Sequence, residues 1–199
     1  MAVIYDKNVI NISREELIEK LQDRLSNKRF EHVMRVEETA IEMAERLGVS
    51  TIEASIAGLL HDYCKELPKD EMYDLAKKYF PFLDKYISNP SIWHAYAAAY
   101  VARNEFGVNN VNIVDAIAVH TIGWGYMGPL SQIIFIADYI EPGRDFKGVD
   151  KARKLAEDDL EEAVIYKLKQ NLIQILDEEE FIYAPSVDIY NSWIKEKRG

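Results

Sequence analysis

Apolar residues in this chain recur at spacings of three and four in segment after segment, and no stretch alternates apolar and polar residues as a half-buried strand would. That pattern restricts the chain to an all-α fold. Ser13 and Glu16 form a capping-box signature ahead of Leu17, Ile18, Leu21 and Leu25. A second helix is predicted from Lys28 to Leu47, striped by Val36, Ala40, Met43 and Leu47 and stopped by Gly48. Ser50 and Glu53 repeat the capping signature and open a helix with Ala57, Leu60, His61 and Cys64 on one face. Pro68 starts a shorter helix to about Tyr79. Further helices are predicted from about Ser91 to Phe106, Asn112 to Ile122 and Leu130 to Ile140, the last two split by the loop Gly123 to Pro129. The spacing Ala152, Ala156, Leu160, Ala163, Leu168, Leu172 and Ile175 predicts one long amphipathic helix from about Asp150 to Glu179, with a last short helix from near Ser186.

With 199 residues, 48% of them hydrophobic, and no repeat or linker, one domain with a sizeable core is expected. The formal charge of −10 and the absence of a Lys/Arg cluster exclude a broad nucleic-acid footprint, which needs many phosphate neutralisations. No leader pattern opens the chain, and its apolar runs, such as Ile133 to Ala137, are too short to span a bilayer. The single cysteine, Cys64, allows no internal disulfide and fits a reducing cytoplasm, the expected location.

The chain has four histidines, His32, His61, His94 and His120, and they fall in one ordered pattern with Asp62 and Asp138 on segments that read as core-facing helices. Asp138 sits inside Ile133-Ile134-Phe135-Ile136-Ala137 and is followed by Tyr139 and Ile140. An unpaired buried carboxylate there would cost several kcal/mol, so a metal or an arginine must meet it. His61-Asp62 has the same apolar setting after Ala57-Gly58-Leu59-Leu60, and its carboxylate could bridge two cations. Imidazole and carboxylate together suit iron, manganese or zinc, so a buried metal centre doing hydrolytic chemistry is expected.

The series His32, His61-Asp62, His94, His120, Asp138 resembles that of HD-domain metal-dependent phosphohydrolases. The flanking residues resemble the bacterial YqeK family more narrowly: Arg29-Phe30-Glu31-His32, Ala57 to Asp62, Lys65-Glu66, Trp93-His94, Ala116-Ile117, His120-Thr121 and Ile136 to Pro142. The likeness runs from about residue 13 to 193. It implies a single HD-domain helical bundle over 1–199, with a motif core at about 28–145 and a C-terminal helical extension at about 150–197 that includes the long helix. It also implies symmetrical cleavage of diadenosine tetraphosphate to two ADP, by attack of a metal-bridging hydroxide on phosphorus. The implied cofactor is a pair of divalent or mixed-valence ions, usually iron, with manganese or another transition metal as substitutes. By the same resemblance His32, His61, Asp62 and Asp138 would bind one ion and Asp62, His94 and His120 the other. One departure is Ala184-Pro185, where many relatives carry a histidine before the proline.

Substrate contacts are expected from Lys65, which also stands with Asp62 as a catalytic candidate because its spacing puts it over the metal-bearing face of the same helix. Arg144 suits either a phosphate contact or a surface salt bridge, and Thr121 either a phosphate hydrogen bond or a backbone cap. Arg29 is expected to fix a neighbouring carboxylate, Glu31 or Asp138. Cys64 reads as a small core hydrophobe. The loop Gly123 to Pro129 suits either a wall that stacks a base or a packed connection, and Glu157 to Glu162 reads as a solvated face. The same ligands would serve a nucleoside monophosphatase, a guanosine-alarmone hydrolase or a metal-dependent nucleotide-binding regulator. The expected partner is a nucleotide or dinucleoside polyphosphate, with no nucleic acid or membrane, and a homodimer is left open.

Overall fold

The computed structural model describes residues 3–84 and 88–198, and among these the regular structure is helical, with no strand. In chain order the helices are α1 (Arg14–Arg24), α2 (Asn27–Leu47), α3 (Thr51–Leu60), α4 (Lys69–Tyr79), α5 (Pro90–Asn104), α6 (Val111–Val119), α7 (Pro129–Ile140), α8 (Val149–Asp158), α9 (Leu160–Asp177) and α10 (Ala184–Arg198). Local chemistry sets their ends. The Ser13 hydroxyl accepts from the Glu16 amide at 3.2 Å while the Glu16 carboxylate accepts from the Ser13 amide at 2.8 Å, completing the capping box of α1. Ser26 and Ser50 cap α2 and α3, and Gly48 ends α2 in the left-handed conformation, φ 69°.

Two expected helices are shorter than the periodicity suggested. The helix opened by Ser50 stops at Leu60, so His61, Asp62, Cys64 and Lys65 lie in the turns that follow it. There the backbone changes to tighter bonds, from Tyr63 to Leu60 and from Lys65 to Asp62, and the His61 ring rather than an amide meets the Gly58 carbonyl at 2.6 Å. Lys65 therefore does not share a helix with Asp62. The stretch predicted as one helix from 150 to 179 divides into α8 and α9 at Asp159, whose backbone is extended. Its carboxylate accepts from the amides of Glu161 and Glu162, and this N-cap competes with continued winding. Asp159 is thus a structural cap within what reads as a solvated acidic run.

Helix α7, buried along most of its length, packs against α2, α3, α6, α8 and α9, and so brings Asp138 to the middle of the molecule. α2 and α3 pack so closely that a Cβ on Gly58 would lie 2.9 Å from the Cα of Glu37. Glu37 cannot step aside, because Arg14 clamps its buried carboxylate at 2.7 and 2.6 Å. Gly58→Ala is therefore expected to destabilise the protein by about 1–3 kcal/mol despite alanine's better helix propensity, read as a lower urea midpoint at unchanged slope. α10 returns to the α6–α7 loop, where the Trp193 indole donates to the Trp124 carbonyl at 2.8 Å.

Candidate metal centre

Five segments deliver the six candidate ligands to one buried place: His32 from α2, His61 and Asp62 from the end of α3, His94 from α5, His120 from the end of α6 and Asp138 from α7. The four histidines are each at most 5% exposed. Their Nδ1 atoms all face acceptors: Glu141 at 3.1 Å from His32, Gly58 O at 2.6 Å from His61, Pro90 O at 3.2 Å from His94 and Ile117 O at 2.7 Å from His120. Donation from Nδ1 fixes the tautomer and leaves the Nε2 lone pair pointing inward, the arrangement that metal-binding histidines use.

Asp62 lies at the centre of this ring. Its Oδ2 is 3.6 Å from Nε2 of both His32 and His61, while its Oδ1 is 3.0 Å from Nε2 of His94 and 3.7 Å from that of His120. The two oxygens thus address different pairs of histidines. Asp138 Oδ1 joins the first pair, 3.3 Å from His32 Nε2. Donor atoms of His32, His61 and Asp138 lie within 4.8 Å of one another, as do those of His61, Asp62 and His120. His61 therefore stands between the two groups.

The donor set fits divalent metal ions. The Nε2 atoms of His32 and His61 are buried and have no hydrogen-bond partner. Those of His94 and His120 face each other at 3.0 Å, two lone pairs that a cation would reconcile. Burial pushes His61 down to about 3 and His94 to about 4, so both rings are neutral ligands at neutral pH.

A ring of cations and carboxylates holds the ligands. Arg29 donates to Asp62 Oδ2 at 2.7 Å, which corrects the expectation that it would fix Glu31 or Asp138. α2 turns its side chain across to the end of α3 rather than along its own helix, and the buried Asp62 is the stronger attraction. Glu141 receives Arg35 at 2.6 Å as well as facing His32, so it orients that ring. Arg144 donates to Asp138 Oδ1 at 2.7 Å and to the Asp138 carbonyl at 2.9 Å, while remaining about a third exposed. Lys65 Nζ lies 3.3 Å from His94 Nδ1, and burial lowers its pKa. Thr121 Oγ1 is buried with no partner, and Thr121 lines, with Ser91, Ile92, Asn171 and Tyr183, a cavity of about 420 Å³ that has none of the six ligands in its walls.

Sequence reasoning passed over Lys167. On α9 and only 3% exposed, it donates to the Phe135 carbonyl at 2.6 Å and reaches the His120 carbonyl at 3.4 Å and Asp138 Oδ2 at 3.5 Å. Burial depresses its pKa to about 8 against the pull of Asp138. Lys167→Met is expected to destabilise the metal-free protein by about 1–3 kcal/mol, a discounted loss because Arg144 still compensates Asp138. The deficit should shrink when metal is bound and neutralises Asp138 itself. Paired denaturant titrations, with chelator and with manganese, measure both values.

Other residues stay out of the centre. Cys64 is fully buried and burial pushes its thiol up to about 12, which suits a packed hydrophobe. The loop at Gly123 to Pro129 leaves Trp124 and Tyr126 exposed beside a different cavity, lined by none of the six ligands. No helix among the described residues is long and apolar enough to cross a membrane.

A helical frame that gathers histidines and aspartates from separate helices in this order is the hallmark of one hydrolase class, and residues 29–143 match the family model described as HD domain. The chain belongs to the HD-domain family, and within it to the YqeK group of bacterial proteins. It is 40% identical to "Bis(5'-nucleosyl)-tetraphosphatase, symmetrical" of Bacillus subtilis, over 92% of this chain and 98% of that protein. It is 34% identical to the protein of the same name from Halalkalibacterium halodurans, over 94% of this chain and 100% of that one. A solved structure described as a predicted HD superfamily hydrolase involved in NAD metabolism, from Clostridium acetobutylicum, superposes with a TM-score of 0.89 at 33% identity, over 93% of this chain and 98% of that chain.

Proposed function

We propose that the protein is a metal-dependent symmetrical bis(5′-nucleosyl)-tetraphosphatase that hydrolyses diadenosine tetraphosphate to two ADP. The observation that carries this reading is the division of Asp62 between two sets of histidines, in a chain whose relatives bear that name over nearly their whole lengths. His32, His61 and Asp138 would hold one ion and His94 and His120 the other, with Asp62 shared; iron is the proposed metal and manganese a substitute. A bound metal pair supplies Lewis acidity, which makes water a nucleophile at neutral pH and draws charge from the phosphate oxygens.

The chain's own residues do the rest. The Nδ1 acceptors hold four imidazoles in one tautomer, so little reorganisation is needed when charge develops. Lys65 and Arg144 flank the centre on opposite sides, beside His94 and Asp138, and are the proposed partners of the anionic phosphates. Arg144 is paired with Asp138, from which a polyphosphate would draw it, while the Lys65 ammonium lies against the His94 ring. Thr121, adjacent to His120, lines the 420 Å³ cavity, whose mixed polar and apolar walls are proposed to seat part of a nucleotide. Cys64 is buried with its thiol held protonated and has no part in the proposed reaction. Because α9 lends Lys167 to Asp138, the motif core and the C-terminal extension read as one functional unit, placed in the cytoplasm where nucleotides are made.

The test is to load the protein with iron or manganese, add diadenosine tetraphosphate and identify the products by chromatography. Two ADP is the expected result. AMP with ATP would refute symmetrical cleavage, and absence of turnover with every metal would refute the assignment.

A further inference from the structure

A cavity of about 710 Å³ lies on the far side of α6 from the metal centre. Helical phase separates the two. On α6, Ile113, Ala116 and Ile117 share the inward face that ends at His120, whereas Asn112, Asp115 and Val119 line the cavity from the opposite face. On α5, Tyr96 lines the cavity and follows His94 by two residues, about 200° around the helix. The cavity therefore opens on faces of α5 and α6 that the ligand side chains do not share.

Its walls are aromatic. Tyr79 stacks on Tyr96 with ring centroids 6.1 Å apart and planes at 17°, and Phe80 meets Tyr96 at 5.3 Å. Across from them the α6–α7 loop presents Trp124, 47% exposed, and Tyr126, 74% exposed. The polar groups of the lining include two carboxylates, Glu53 and Asp115, and no lysine, arginine or histidine. Glu53 is engaged by the Asn110 amide at 2.8 Å, while among the described residues no hydrogen bond or ion pair occupies Asp115. A phosphate group seated among these residues would meet two carboxylates and no cation. A flat body carrying one positive charge meets both features, since rings attract cations through their faces and Asp115 supplies the counter-charge.

We infer that this cavity is a second ligand site, separate from the metal centre, for a small organic cation with a planar aromatic body. Isothermal titration of the metal-loaded protein with benzamidine tests it, with neutral benzamide and anionic benzoate as matched probes. Benzamidine is expected to bind one per chain and at least about tenfold more tightly than either control, since each cation–ring contact and the counter-charge add attraction only for the cation. Asp115→Asn should weaken it by about tenfold and Tyr126→Ala by several-fold, neither residue having a part in the metal centre. Saturable binding that disappears for the controls and weakens in both variants supports the site. Equal binding of benzamide or benzoate, unchanged binding in the two variants, or no saturable heat with benzamidine would overturn it.

Discussion

Replacing Asp62 with asparagine is expected to abolish retention of both metal ions and to lower turnover of diadenosine tetraphosphate by about 10³-fold or more, the loss that follows when several kcal/mol of charge stabilisation is withdrawn. The substitution keeps the side chain's shape but changes what each end offers. A carboxylate sets one oxygen beside Nε2 of His32 and His61 and the other beside Nε2 of His94 and His120, so each oxygen could share a cation with its pair of lone pairs. An amide has one oxygen, so its N–H₂ end faces two imidazole nitrogens that already point lone pairs inward. Arg29, 2.7 Å from Oδ2, also loses its charged partner. Circular dichroism should show a folded helical protein, which separates loss of the centre from loss of the fold. A variant that keeps two ions and full turnover would show that Asp62 is not shared between them.

The second large effect is expected at His94. His94→Ala removes one imidazole from the Oδ1 side and leaves His32, His61 and Asp138 intact, so retained metal should fall from two ions per chain towards one. Turnover should fall by about 10²–10³-fold, because the ion that His94 would help to hold would no longer add its Lewis acidity. A matched change at His32 should deplete the other ion instead. If His94→Ala leaves stoichiometry and rate untouched, the centre uses one metal and His94 is structural.

Much of the fold was legible because helix starts are written locally. Ser13 with Glu16 and Ser50 with Glu53 place their helices within a residue or two, and Val36, Ala40 and Met43 turn inward as their spacing requires, whereas Leu47, the last of the predicted stripe, is exposed at the end of α2. Periodicity overran at Leu60 and Asp159, where a side chain, the His61 ring in one case and the Asp159 carboxylate in the other, takes over a backbone partner. Such competition depends on one rotamer and leaves no mark on the spacing of apolar residues.

The candidate ligands stood out for a different reason. Asp138 lies in an apolar run, and a carboxylate there needs a partner whatever the fold. Lys167 gave no comparable signal, since a lysine on an amphipathic helix ordinarily carries its charge out to solvent. Only the packing of α9 behind α7 turns it inward to Phe135 and Asp138. Arg29 and Asp62 are 33 residues apart, and a pairing at that separation is set by the crossing of helices rather than by any local pattern.

Asp62 is proposed to divide one cluster of ligands into two metal sites. Counting bound metal by mass spectrometry, on protein reconstituted with iron or manganese and freed of excess ion by gel filtration, tests it most directly. Two ions per chain, with activity rising as the second is loaded, is the predicted result. Full activity at one ion per chain, with no second ion retained at any loading, would contradict it.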